Sequence, residues 1–378
     1  MKYIFVLSIF IGGTIFINSC SSKKTISVSE IKFKLTDKFF FTLDSVTTND
    51  PESIQFFEDK NSKHTFLILF DEKSLNIDLY DYNSKKLARR ISLEIDGPEG
   101  INSKSAIHGM YFHNPDSIFV ANDYFINLIN SKGSVFKRFK LLDPTKKLSG
   151  LPALNNNAVH IEKNKLYFPF WPDIDECKPA SYTQALCMTE LDLKTGNYSY
   201  FLPYPDGYRN GSFGPNYGYP FPVFNASSRS FVVSFPASPA LVSYNIDTKQ
   251  TTIEKKTATS LFQDIEAMDK PCDSYDNYTR FYVQNPSYED LLYDKKNKLY
   301  YRVALKGRND DDYNKGEFWK KGNIVILDAN FNTLGEFVKD ETYSNFNYLC
   351  HDGKIILLKK GEAENEIHFH AFEIDKTK

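Results

Sequence analysis

Six short segments of this chain share one pattern: an apolar strand, a polar turn of about five residues, and an amphipathic strand. The turns are "DYNSK" (81–85), "INSKG" (129–133), "DLKTG" (192–196), "NIDTK" (245–249), "DANFN" (328–332) and "EIDKT" (373–377). An Asp or Asn near the start of such a turn can accept from its own backbone two residues on, and the last position favours a residue that tolerates φ > 0. Gly133, Gly196 and Asn332 suit that last place; Lys85 and Lys249 suit it less well. The turns begin 48, 63, 53, 83 and 45 residues apart. A period of this size with several strands per unit is the mark of propeller blades, with loop insertions stretching the longer intervals.

Further strands fill the gaps. "HTFLILF" (64–70), "DSIFVAN" (116–122), "NKLYFPF" (164–170), "RSFVVSF" (229–235), "NKLYYRV" (297–303) and "GKIILLK" (353–359) each follow a polar turn. Each is dense in β-branched or aromatic residues, as a strand buried on both faces should be. The 32 Phe and 24 Tyr favour strands, and the one helix-like window is "TSLFQDIEAM" (259–268). No strand follows the sixth turn, but "SEIKFKL" (29–35) resembles "SVFKRFKL" (134–141), the strand after the second. These features predict an all-β, six-bladed propeller in which residues 26–35 complete the last blade and remove its free edge. A β-sandwich or a pair of smaller β domains is the competing architecture.

The first twenty residues read as a leader. Lys2 precedes an apolar run too short and too Gly-interrupted for a membrane span. It ends in "INSC" (17–20), which resembles the lipobox of bacterial lipoproteins, with Cys20 as the acylated residue. Acyl chains on Cys20 would hold a soluble domain on a membrane, each buried methylene contributing about 0.8 kcal/mol. Residues 21–25 would be a tether and 26–378 a single domain. "SSKKTISVSE" after Cys20 lacks the Asp of inner-membrane retention and any acidic cluster. That resembles lipoproteins sorted to the outer membrane, on its periplasmic face rather than the cell surface.

Between 95 and 141 the chain resembles a family of bacterial lipoproteins of unknown function from gut-type Gram-negative bacteria. The "GP-x-G" turn at 97–100, "FHNPDSIFV" (112–120) and "NPSY" (285–288) carry the likeness. It implies a propeller-like fold over nearly the whole mature chain. It implies no reaction, so no catalytic residue carries over.

Charge excludes one class of partner. With 46 basic and 48 acidic residues, no cation excess exists to displace counterions from nucleic acid. The densest unusual stretch is "YPDGYRNGSFGPNYGYPFPVF" (204–224). Tyr208, Phe213, Tyr217 and Tyr219, joined by Trp171, offer faces for sugar rings, and Arg209 offers donors to a hydroxyl or carboxylate. The plainer reading is a loop packed by its own aromatic side chains. Cys177 and Cys187 bracket a short loop that a disulfide could close, the alternative being free thiols. "GRNDDDYNKGE" (307–317) alternates oxygens but has Lys315 where a calcium loop needs Gly, so it reads as a solvated insertion. His108 with His113, and His368 with His370, lack a third metal ligand in sequence. No activated nucleophile or phosphate loop occurs, and no cofactor is implied. The expectation is a lipid-anchored envelope protein that binds a glycan, peptide or partner protein. The alternative is a hydrolase or lyase for a carbohydrate or lactone, using carboxylates such as Asp173, Asp175 or Glu176 near the axis.

Overall fold

The computed structural model describes residues 33–60, 62–102, 107–123, 125–141, 150–154, 157–361 and 363–375. They form six antiparallel sheets arranged as a β-propeller. Blade 1 is Ser53–Glu58, Thr65–Asp71, Asn76–Asp81 and Leu87–Ser92. Blade 2 is Ile107–Asn114, Ser117–Asn122, Phe125–Ile129 and Val135–Lys140. Blade 3 has an inner edge in two pieces, Gly150–Pro152 and His160–Glu162, followed by Lys165–Pro172, Leu186–Asp192 and Tyr198–Pro203. Blade 4 is Phe221–Asn225, Ser230–Ser234, Ala240–Asn245 and Thr251–Lys256. Blade 5 is Ser287–Asp294, Leu299–Lys306, Lys321–Leu327 and Thr333–Val338. Blade 6 is Leu349–His351, Lys354–Lys359, Glu366–Ile374 and, outermost, Phe33–Thr42.

All six apolar strands expected from the sequence are the second strands of their blades, buried between neighbours. Apolar side chains pool where successive blades meet. The contact of blades 1 and 2, for example, holds Ile68, Phe70, Met110 and Val120 together. Every such junction around the ring has a cluster of this kind.

The recurring turns fall into two geometries. In blades 1, 3 and 4 the N–H of Lys85, Gly196 or Lys249 donates to the carbonyl of the turn's first residue at 2.8–2.9 Å, and each has φ > 0. In blades 2 and 5 the turn is one residue tighter: Gly133 donates to Asn130 and Phe331 to Asp328, both at 3.0 Å. The positive φ of the fifth blade therefore falls on Phe331 (61°) and not on Asn332. The opening Asx side chains accept backbone N–H groups as expected, for example Asp192 Oδ1 from Lys194 and Thr195.

The N-terminal segment closes the ring, with bounds different from those expected. The pairing strand is Phe33–Thr42, antiparallel to Glu366–Ile374; residues 26–32 lie outside the described residues. A bulge lies between Leu35 and Asp37. One extra residue in a strand moves later side chains to the opposite face. Phe33 thus packs toward blade 5, against Phe337 at 5.0 Å, while Phe39 and Phe41 pack toward blade 1. Phe41 is fully buried, edge-on to Tyr80 at 5.8 Å and Phe369 at 6.1 Å. The helix-like window at 259–268 is irregular backbone; among the described residues the longest helix is Tyr275–Gln284, capped by Ser274 Oγ accepting from the Asn277 N–H. Ser260 instead bonds Glu336 of blade 5 through its N–H and its hydroxyl, both at 2.6 Å, which holds that window extended.

Truncating Phe41 to Ala removes the centre of the closing contact. The expected loss is about 3–5 kcal/mol, as for other fully buried Phe positions, read from the urea midpoint. A loss under about 1 kcal/mol would mean that stability does not depend on this closure.

Candidate functional site

Topology gives the ring two unlike faces. In each up-and-down blade, the first-to-second and third-to-fourth connections emerge at one end. These are the short Asx-type turns. The second-to-third connections and those between blades emerge at the other end, and there the insertions gather: 173–185, 204–220, 257–286, 307–320 and 339–348. Loops that carry function concentrate on one side of a rigid scaffold in this way.

The aromatic loop 204–220 sits on that face, and three of its five expected ligand residues are inside it. Tyr208, Phe213 and Tyr217 are buried. The Tyr208 hydroxyl donates to the Tyr217 carbonyl at 2.8 Å and accepts from the Ala237 N–H at 3.0 Å. Tyr217 donates to the Pro286 carbonyl at 2.8 Å and its ring meets Phe281 and Tyr282 of the helix. Buried tyrosines whose hydroxyls find backbone partners are packing elements. Their placement corrects the expectation that they face a ligand. Trp171, Arg209 and Tyr219 are half-buried at the surface, Trp171 and Tyr219 edge-to-face at 6.3 Å, and Arg209 paired with Asp206 at 2.8 Å.

Of the three carboxylates beside Trp171, Asp173 and Asp175 are exposed, Asp175 holding Lys178 at 2.6 Å. Glu176 is turned inward and accepts from Trp171 Nε1. Burial pushes its carboxyl up to about 7. The disulfide expected between Cys177 and Cys187 is corrected: Cys177 bonds Cys272. Cys187 is a free thiol in the interior of blade 3, 3.3 Å from the Leu202 carbonyl. Its strand points it into the core, whereas Cys177 lies in a loop beside the 257–286 insertion. The bridge joins two loops 95 residues apart, a span for which about 2–4 kcal/mol of stabilisation is typical.

The acidic segment is a short helix, Asp310–Asn314, capped by Asn309. Asp310 is bonded to Arg280 and Gln284, each at 2.7 Å, and so is engaged in holding the neighbouring helix. His368 bonds Glu366 at 2.6 Å and His370 bonds Tyr343 at 2.7 Å. Among the described residues no group of three or more His, Cys, Asp or Glu could hold a metal. The axis itself is crossed: between the two pieces of blade 3's inner edge, Asn157 donates to the Tyr348 carbonyl beside blade 6, on the opposite side of the ring, at 3.2 Å.

The open surface lies where the sequence reading placed a solvated insertion. Cavities of 640, 440 and 330 Å³ adjoin one another, and Trp319 lines all three. Trp319 is 59% exposed and Phe346 52%, their rings edge-to-face at 5.4 Å. Lys360 Nζ stands 5.5 Å from the Trp319 ring. Beneath them Lys320 and Glu289 are buried. Burial lowers the Lys320 amine to about 7 and raises the Glu289 carboxyl, which accepts from the Tyr282 hydroxyl. The available sequence signal was Trp319 itself, one of two tryptophans, hidden by the polar run before it.

A family model described as "Domain of unknown function (DUF4221)" matches residues 30–337. The crystal structure of a DUF4221 family member from Bacteroides vulgatus is similar, with a TM-score of 0.77 and 18% identity over 93% of this chain and 100% of that one. A Bacteroides fragilis protein named for its expected export is similar at a TM-score of 0.57 and 12% identity, over 91% and 96%. At these identities the likeness is one of fold. No curated protein matches the sequence. Among the described residues no helix is long and apolar enough to cross a membrane.

The raised Glu176 carboxyl makes a pH prediction. Its folded value of about 7 lies above its ordinary 4.5. Its contribution to stability is therefore complete below pH 4.5 and is lost as pH rises through 7. Glu176→Gln should leave stability nearly unchanged at the acid end and raise it by roughly 3 kcal/mol at about pH 8. Chemical unfolding at both pH values checks this; an equal effect at both would refute it.

Proposed function

The chain belongs to the DUF4221 family, defined by a domain of unknown function, and from that premise we propose that it is an exported, lipid-anchored binding protein of the cell envelope. Its ligand, a glycan, peptide or partner protein, docks on the loop-rich face. The observation that carries this reading is the exposed Trp319–Phe346 pair at the meeting point of three cavities. Exposed aromatic pairs on a rigid frame bind with little ordering cost. Trp171, Arg209 and Tyr219 extend the same face, and the buried Tyr208, Phe213 and Tyr217 hold its loops in place. The Cys177–Cys272 bridge supports an oxidising compartment. The "INSC" motif supports an anchor at Cys20, which lies outside the described residues, and the segment after it favours the periplasmic face of the outer membrane. Chemistry in the axial channel has less support, because Asn157 bridges that axis.

Two measurements test the proposal. Cys20→Ser should move the protein from the membrane to the soluble fraction of fractionated cells; an unchanged membrane pool would refute the anchor. On arrays of glycans and envelope peptides, Trp319→Ala should weaken wild-type binding by about tenfold or more, or at least 1.4 kcal/mol. Lys194→Glu, on the short-turn face, should leave it intact. The reverse pattern would place the ligand on the other face.

A further inference from the structure

The 330 Å³ cavity has a chemical preference written into its floor, and the inference from it rests on the cleft being the ligand site. Lys320 is 4% exposed. Its ammonium offers three N–H donors, and among the described residues it makes one hydrogen bond, to Ser287 Oγ at 2.9 Å, and no ion pair. Its Nζ lies 3.6 Å from the centre of the Tyr282 ring. Glu289 acts on Lys320 through space and through the shared Ser287 hydroxyl, which donates to Glu289 Oε1 at 3.3 Å, but among the described residues the two form no ion pair or direct hydrogen bond. Burial lowers the Lys320 amine to about 7, so an anion in the cavity would favour its charged form and take the donors the fold leaves spare. The adjoining 440 Å³ cavity shares Trp319 and Lys320 and sets Arg308, Lys321, Lys339 and Lys360 against Glu317 and Glu341. The approach therefore favours an anion. The walls are rings, Trp319, Phe346 and Tyr282 among them.

We infer that this cavity binds a six-membered-ring carboxylate. The carboxylate meets the Lys320 ammonium, and the ring lies among Trp319, Phe346 and Tyr282. A uronate-type sugar and an aromatic acid share that chemistry. The volume suits one substituted ring rather than a chain.

The two tryptophans make a reporter: in Trp171→Phe, Trp319 is the remaining indole. Titration of that variant with glucuronate and with phenylacetate should give a saturable fluorescence change for at least one, with a dissociation constant on the order of a millimolar. Which acid saturates identifies the ring as sugar or aromatic. The matching neutral compounds, glucuronamide and phenylacetamide, should bind about tenfold or more weakly. Adding Lys320→Met should abolish the preference for the acid; an apolar side chain of similar volume is tolerated where a buried charge stood, and circular dichroism confirms the fold. Equal binding of acid and amide, a preference that survives Lys320→Met, or no saturation by either acid would overturn the inference. Those results leave the loop-face reading standing, since it falls when Trp319→Ala retains full array binding.

Discussion

The structure depends on one antiparallel pairing, between the first described strand and the last. Phe33–Thr42 lies against Glu366–Ile374, and without it blade 6 would expose the edge of Glu366–Ile374. A free edge is a template for association with another chain. The pairing does more than cover hydrogen-bonding groups. The bulge at Thr36, whose hydroxyl donates to the Ala371 carbonyl at 3.2 Å, turns the strand's phenylalanines toward two different neighbours. Phe33 completes the junction of blades 5 and 6, and Phe39 and Phe41 complete that of blades 6 and 1. One strand thus supplies apolar surface to both sides of the closing blade, and the loop-bearing face inherits its rigidity from that ring.

A second constraint acts between blades 4 and 5, under the face that carries the cleft. Arg302 is fully buried, and among the described residues it has no carboxylate partner. All five of its N–H donors are used: Ser234 Oγ, Thr257 Oγ1 and the carbonyls of Phe235, Ser238 and Pro239 accept them. Its guanidinium carbon lies 3.5 Å from the centre of the Tyr288 ring. Burial lowers it to about 10, which still leaves it charged at neutral pH. A planar fork can satisfy that many acceptors where a lysine's point charge could not. The clamp fixes the 235–239 loop and the start of the 257–286 insertion to blade 5. It thereby seats the helix Tyr275–Gln284 that walls the cavity.

How much of this was legible depended on whether a signal was local. The second strands and the polar turns rest on dense apolar runs, turn chemistry and spacing, and those survive in a single sequence. The closing strand was found by likeness to residues 134–141 but placed too early, and the bulge at Thr36 has no reliable local mark. Phe331 took the left-handed position beside a more suitable Asn332 because the fifth-blade turn closes one residue earlier, with the Phe331 N–H on the Asp328 carbonyl. The disulfide partner of Cys177 was set by which loops adjoin across 95 residues, something that proximity in sequence misrepresents. The cleft was missed for a similar reason: Trp319, Phe346 and Lys360 come together only once blades 5 and 6 are side by side.

Aromatic density proved a poor guide to a site, and the reason is general. In a chain with 24 Tyr and 32 Phe, most rings must be core, and the loop 204–220 used its rings to bury itself. What separates Tyr208 from Trp319 is satisfaction rather than residue type. Tyr208 and Tyr217 have hydroxyls matched to backbone partners and rings enclosed by other rings, so nothing about them asks for a ligand. Trp319 has an open face, and beside it the buried Lys320 amine has one hydrogen bond among the described residues. Folding removes such groups from water at a cost that a protein bears where it uses them. On a propeller whose every blade junction is otherwise filled, that imbalance is what distinguishes a place built to receive something from one built to stay shut.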